Sequence, residues 1–178
     1  MGLDMYLKKR TYIGNEYRDE EKQVKIIIPE NQDGIFFPTN SIVQSRVSEI
    51  VENVAYWRKA NAIHNWFVEN AQDGVDDCGE YNVSDKQLRE LIDLCKKTIE
   101  YVTSQPKIKV EEKDWNGKVY EVEVYDVKED VDLPTTGGFF FGGTEYNEYY
   151  VQSLQNTIDQ LEPLLLEEDG DFYYASSW

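Results

Sequence analysis

The stretch from Ser84 to Thr103 constrains the fold more than any other part of the chain. Leu88, Leu91, Ile92, Cys95, Ile99 and Val102 recur at the spacing of one helical face, and Ser84 with Gln87 has capping-box spacing at its start. A helix with a single apolar stripe must lie against other structure, and strand patterns at both ends of the chain supply it. Leu3, Met5 and Leu7 alternate with Asp4, Tyr6 and Lys8 between Gly2 and Lys9, the period of a half-buried strand. Asp171 to Trp178 reads as an aromatic closing strand. Lys107 to Glu112 and Lys118 to Val127 alternate on either side of Asn116-Gly117, a pair that favours a hairpin turn.

Other segments are fitted around these. Gln23 to Ile28, a β-branched run closed by Pro29, predicts a second strand able to form a hairpin with the first. Glu30 to Asn40 reads as a surface loop held by Phe36 and Phe37. Ile42 to Tyr56 fits two periods: Val47, Ile50, Val51 and Val54 suit a helix, while Ile50, Val54 and Tyr56 suit one strand face. Its β-branched content favours a strand from about Val47. A helix is expected from about Trp57, with Trp57, Ala60, Asn61, His64, Phe67, Val68 and Ala71 on one buried face. The segment Leu133 to Gly143 sets Phe139, Phe140 and Phe141 between glycine pairs. After Thr144, an expected N-cap, a further helix carries Tyr150, Leu154, Thr157, Ile158, Leu161 and Leu165 on one face, until Pro163 kinks or ends it. This order predicts an α+β fold, a mainly antiparallel sheet with about three helices packed against it, in one domain spanning residues 1–178.

Charge narrows the range of functions. The chain has 18 Lys plus Arg against 35 Asp plus Glu, a net charge of -17 and a pI near 4.4. That balance argues against direct binding to nucleic acid or to an anionic membrane, both of which need positive potential, and favours a basic protein surface as partner. The N-terminus MGLDMYLKKR has too few apolar residues for a signal-peptide core, and no apolar run approaches the roughly 18 to 20 residues of a membrane span, so a cytoplasmic location is expected. Cys78 and Cys95 show no CxxC spacing, and reduced thiols are expected.

Two clusters could carry chemistry. His64 with Cys78, Asp77 and Glu80 has the residue types of an activated thiol, since an imidazole can deprotonate a thiol and a carboxylate can orient the imidazole. A histidine on the buried face of an aromatic helix is more simply structural. Asp73, Asp76, Asp77 and Glu80 have the oxygen ligands a hard cation such as Ca²⁺ or Mg²⁺ prefers, but without EF-hand spacing, and a solvated acidic loop accounts for them. Arg58 and Lys59 are read as partners of nearby carboxylates. No nucleotide-binding, zinc-protease or serine-hydrolase motif is present in the sequence, and nothing in it calls for a cofactor.

The distribution of charge points to binding. No Lys or Arg follows Lys128, while Glu129, Asp130, Asp132, Glu145, Glu148, Asp159, Glu162, Glu167, Glu168, Asp169 and Asp171 all lie beyond it. With Phe139, Phe140 and Phe141 as aromatic anchors, this region predicts a surface for a basic partner. A helix from Glu145 to Glu162 would rise ~26 Å, over which a DNA strand shows about seven or eight phosphates, whereas its face offers four carboxylates, Glu145, Glu148, Asp159 and Glu162. Partial imitation of a phosphate backbone therefore requires the acids of Glu129 to Asp132 and Glu167 to Asp171 alongside it.

The blocks MGLDMYL (Met1 to Leu7), YWRKANAIHNWF (Tyr56 to Phe67), DDCGEY (Asp76 to Tyr81), GFFFGG (Gly138 to Gly143) and FYYASSW (Phe172 to Trp178) resemble a family of small, acidic phage and prophage proteins. The resemblance spans nearly the whole chain and carries no catalytic residue with it. At the level of class alone, the chain is similar to phage-borne inhibitors of host defence, anti-CRISPR proteins among them. That similarity implies a phage accessory protein in the host cytoplasm, with a CRISPR effector nuclease or its guide complex as the kind of partner. A small enzyme or metal-dependent hydrolase, and a phage structural or small-molecule-binding protein, are the alternatives.

Overall fold

The computed structural model describes residues 2–13, 47–113, 116–138, 143–166 and 170–178. Among these residues, six strands and three helices follow in the order β1 (Asp4–Tyr12), β2 (Glu49–Arg58), α1 (Asn61–Ala71), β3 (Glu80–Val83), α2 (Asp85–Ser104), β4 (Lys107–Lys113), β5 (Val119–Tyr125), α3 (Glu148–Leu161) and β6 (Asp171–Ser177), with a short 3-10 turn over Pro163–Leu166. A four-stranded sheet has the order β2-β1-β6-β3, every pair antiparallel, and β4 with β5 makes a separate two-stranded sheet. The fold is α+β, as the patterns predict.

Alternation in β1 decides which side of the sheet is filled. Leu3, Met5 and Leu7 are buried, and Trp57 of β2 with Phe172 and Tyr174 of β6 joins them on the same side. The helices cover this side: Leu88, Leu91, Ile92, Cys95 and Val102 of α2 and Tyr150, Val151, Leu154, Ile158 and Leu161 of α3 complete one continuous core. Trp57 Nε1 donates to Thr157 Oγ1 at 2.9 Å, which fixes α3 to β2 without leaving the indole unpaired in the core. Ile99, expected in the core, packs at its edge, partly buried. The other side of the sheet is polar and aromatic. Tyr6 meets Tyr56 at 5.3 Å, the Arg10 guanidinium sits over the Tyr173 ring at 4.6 Å, and Lys8 and Arg10 pair with Glu80.

The structure corrects several boundaries. Trp57 belongs to β2, paired with Met5, and the helix begins only at Asn61. The strand breaks at Lys59, a non-glycine residue held at φ 57°, so Trp57 cannot share a helical face with His64. Tyr56 does not share a face with Ile50 and Val54. The register shifts between Leu7 and Lys8, pairing Leu7 with Ala55 and Lys8 with Asn53, and this bulge at Val54 reverses the alternation along β2. The N-cap of α3 is Asn147, whose side chain accepts from the Tyr150 amide at 3.0 Å, rather than Thr144. Both edges of β1 are taken, by β2 and β6. The strand expected over Gln23 to Ile28 and the loop expected over Glu30 to Asn40 lie outside the described residues.

Candidate functional site

Strand β6 and the loop that follows α1 hold the only histidine, in the first turn of α1, in a hydrogen-bonded chain. His64 is 9% exposed, and Phe67, one turn further along α1, stacks on the Tyr174 ring at 4.0 Å. That stacking sets the helix over the strand. His64 Nδ1 lies 2.7 Å from Tyr174 Oη, and His64 Nε2 lies 3.0 Å from Asp76 Oδ1. A carboxylate can only accept, so the proton of the neutral ring sits on Nε2, Nδ1 accepts, and the Tyr174 hydroxyl donates. Trp178 Nε1 donates to the same Asp76 oxygen at 3.3 Å. Burial lowers the His64 pKa from its ordinary value, more than the Asp76 carboxylate raises it, and burial raises that of Tyr174. Both groups therefore stay neutral near pH 7, which suits a structural latch better than a proton carrier.

The residues predicted to act with His64 are separated by strand alternation and loop geometry. Asp77 turns back on its own loop: Oδ1 accepts from the Gly79 amide at 2.6 Å and Oδ2 from the Tyr81 hydroxyl at 3.0 Å. Glu80, the first residue of β3, reaches Lys8 at 2.6 Å and also Arg10, on the polar side of the sheet away from His64. Cys78 is exposed, and both imidazole nitrogens already have partners. Cys95 is buried in α2, where burial pushes its thiol up to about 12. Asp73, at φ 51°, closes the end of α1 beside Gly74. Asp76, Asp77 and Glu80 thus face different partners, and no group of three or more metal-ligating side chains, Asp73 included, occurs among the described residues. Tyr174 and Trp178 are the members of the His64 chain that sequence reasoning missed. The closing strand was legible as a strand, but only its register against β1 and β3 brings Tyr174 under α1.

Helix α3 carries only part of the acidic surface, and it is shorter than expected. The helix runs from Glu148 to Leu161, 14 residues or ~21 Å, so Glu145 precedes its N-cap and Glu162 is its C-cap. Two of its acids already hold lysines: Glu148 meets Lys107 at 3.5 Å and Glu162 meets Lys96 at 2.6 Å. Asp159 accepts from Gln155 at 2.8 Å, and Asp132 pairs with Lys97. Glu145 is half-buried, whereas Glu129, Asp130, Asp159 and Asp171 are exposed. Asp171 lies at the start of β6, opposite Arg10 in the ladder. Phe139, Phe140, Phe141, Glu167, Glu168 and Asp169 lie outside the described residues. Beside α3, two hollows of about 70 and 200 Å³ open near Lys59, Ala60, Tyr149 and Ser153, below the ~300 Å³ of the smallest usual ligand pockets.

Compared with known proteins, the chain matches no family model, no curated protein and no solved structure. No helix among the described residues is long and apolar enough to cross a membrane.

Proposed function

We propose that the protein is a phage-type accessory protein that works by binding. It docks an acidic surface on the basic, nucleic-acid-handling face of a host defence protein, of which a CRISPR effector nuclease with its guide is the type. The observation that carries this reading is the disposition of charge. Lys8, Arg10, Arg58, Lys96, Lys97 and Lys107 are engaged by the chain's own carboxylates, while Asp130, Glu145 and Asp159 have no ion-pair partner among the described residues in a region without Lys or Arg. The excess negative potential therefore faces outward and steers a basic partner toward the segments that carry Asp130, Glu145 and Asp159. The imitation of DNA is in the sign of the charge. Glu148 and Asp159 are eleven residues apart, ~16 Å along the helix with Gln152, Gln155 and Asn156 between them, too sparse to copy phosphate spacing.

The test is capture of a guide-loaded nuclease by the purified protein over a salt series, with DNA as competitor. Affinity should fall steeply with salt, DNA should displace the protein, and reversing Asp130, Glu145 and Asp159 to Lys should abolish capture while the circular dichroism spectrum stays unchanged. Capture by the folded triple variant at undiminished affinity would remove the acidic surface from the mechanism.

A further inference from the structure

The smaller hollow beside α3, of about 70 Å³, opens between the start of α1 and the start of α3, and a carboxylate without a partner stands on its wall. Glu145 is half-buried there, yet its side chain makes no ion pair and no hydrogen bond among the described residues. Taking part of a carboxylate out of water without an opposite charge costs free energy, so its position favours a cation in the recess. Gly143 sets that position. A Cβ at Gly143 would collide with Glu145 Oε2, so the carboxylate folds back over the hollow only because this residue has no side chain.

The hydroxyls around the same hollow are acceptors. A hydroxyl has one proton to give, and these give theirs to the chain's own carbonyls: Thr135 Oγ1 to Thr144 O at 2.8 Å, Thr136 Oγ1 to Pro134 O at 3.4 Å, Ser153 Oγ to Tyr150 O at 2.8 Å and Tyr149 Oη to Arg58 O at 2.8 Å. What each still offers is an oxygen lone pair. Asn147 spends its side-chain oxygen on the Tyr150 amide, as the cap of α3, and keeps its amide hydrogens.

Charge and hydrogen-bonding sense together select the ligand. An anion would meet Glu145 inside a molecule of net charge -17. The start of α1 offers it only about half a unit of positive charge, and Lys59, which also lines the hollow, is already engaged. A hard metal ion would find one carboxylate where such ions take about six to eight oxygens. The hollow is also too small for a drug-sized molecule, but it suits the end of a side chain. We infer that it is a socket for an arginine side chain of the partner, the guanidinium pairing with Glu145 and donating to the oxygens of Thr135, Thr136 and Ser153. The five N–H donors of a planar guanidinium serve a carboxylate ringed by acceptors better than the three of an ammonium. Tyr149, 56% exposed, adds an aromatic ring beside the same cation. The socket rests on the reading of the acidic surface as a docking site: the free acids attract a basic partner, and Glu145 is the one placed to hold an anchor side chain.

Titration of the full chain with a blocked glycyl-arginyl-glycine tripeptide, followed by amide magnetic resonance at about 0.15 M salt, tests the socket without any nuclease. Saturable shifts should cluster at Thr135, Glu145 and Ser153. The citrulline tripeptide, of similar shape but neutral, should give none, and the lysine tripeptide should bind several-fold more weakly. Glu145→Gln should weaken the arginine tripeptide by about tenfold or more. Gly143→Ala, which keeps every charge and displaces the carboxylate, should weaken it as well, whereas Asp130→Asn with Asp159→Asn should leave it unchanged. The dispersion of each spectrum reports whether the variant is folded, and should Glu145→Gln not fold, Gly143→Ala carries the test. Shifts that do not saturate or do not cluster overturn the inference, as does an equal response to the citrulline or lysine tripeptide, or undiminished binding by folded Glu145→Gln or Gly143→Ala. Such a failure with nuclease capture intact removes the socket alone, while capture that fails when the arginine tripeptide still binds as described removes the nuclease and leaves the socket.

Discussion

At the residue scale, His64 shows how the burial of one side chain can be legible in the sequence while its company is not. Its place on a buried helical face was legible from spacing, and the structural reading agrees with a ring whose two nitrogens are held by Tyr174 and Asp76. Asp76 stood in the acidic loop singled out from the sequence, but Tyr174 was not legible, because it lies 110 residues away and reaches His64 only through the register of β6. A pH dependence follows from the latch. With the folded pKa of His64 below its ordinary value, the unfolded chain binds a proton in this window that the folded chain refuses. Stability from this group is therefore complete above about pH 6.5 and is lost as pH falls from there toward the folded value. Urea midpoints measured from neutral pH downward should decline before the carboxylates titrate, and His64→Gln, whose amide does not titrate, should flatten that early decline. An identical decline in His64→Gln would assign it to other groups.

At the element scale, legibility followed how much of an element's pattern was local. Helix α2 has its start signal, stripe and length within twenty residues, and its capping box is present, with Ser84 accepting from the Gln87 amide and the Gln87 side chain from that of Ser84. The hairpin was legible for the same reason, and Gly117 adopts φ 80° beside Asn116. Strand β3 was missed because its four residues are too few to show a period and sit inside an acidic loop. The end of β2 was misread because aromatic residues run through both the strand and α1, and nothing local marks the break at Lys59. Leu91 of α2, fully buried between the sheet and α3, tests how firmly this element is held. Leu91→Ala should cost about 2–5 kcal/mol by chemical denaturation, against less than ~0.5 kcal/mol for Leu166→Ala, 85% exposed at the end of the 3-10 turn. Equal costs at the two sites would mean that α2 is not packed as described.

At the scale of the whole molecule, two electrostatic effects oppose each other, and their ranges decide between them. Short-range ion pairs such as Lys96 with Glu162 and Lys109 with Glu121 at 3.0 Å favour the fold, yet exposed pairs of this kind contribute only about 0–1 kcal/mol each. Against them stands the mutual repulsion of a chain with net charge -17, which acts across the entire fold when screening is weak. A domain of this length has a radius of gyration of about 16 Å. The screening length is ~30 Å at 0.01 M salt and ~8 Å at 0.15 M, so repulsion spans the molecule in the first case and only neighbouring side chains in the second. Repulsion therefore loses more than the contact pairs do when salt is added. The melting temperature should rise between these two concentrations of sodium chloride, by about 2–4 °C for each 1 kcal/mol of repulsion screened. Neutralising Asp130, Glu145 and Asp159 to Asn, Gln and Asn should raise the low-salt melting temperature and make the salt response shallower, because these acids have no ion-pair partner among the described residues. A melting temperature that falls on adding sodium chloride would show instead that the ion pairs outweigh the net charge, and it would leave less outward potential for steering a basic partner.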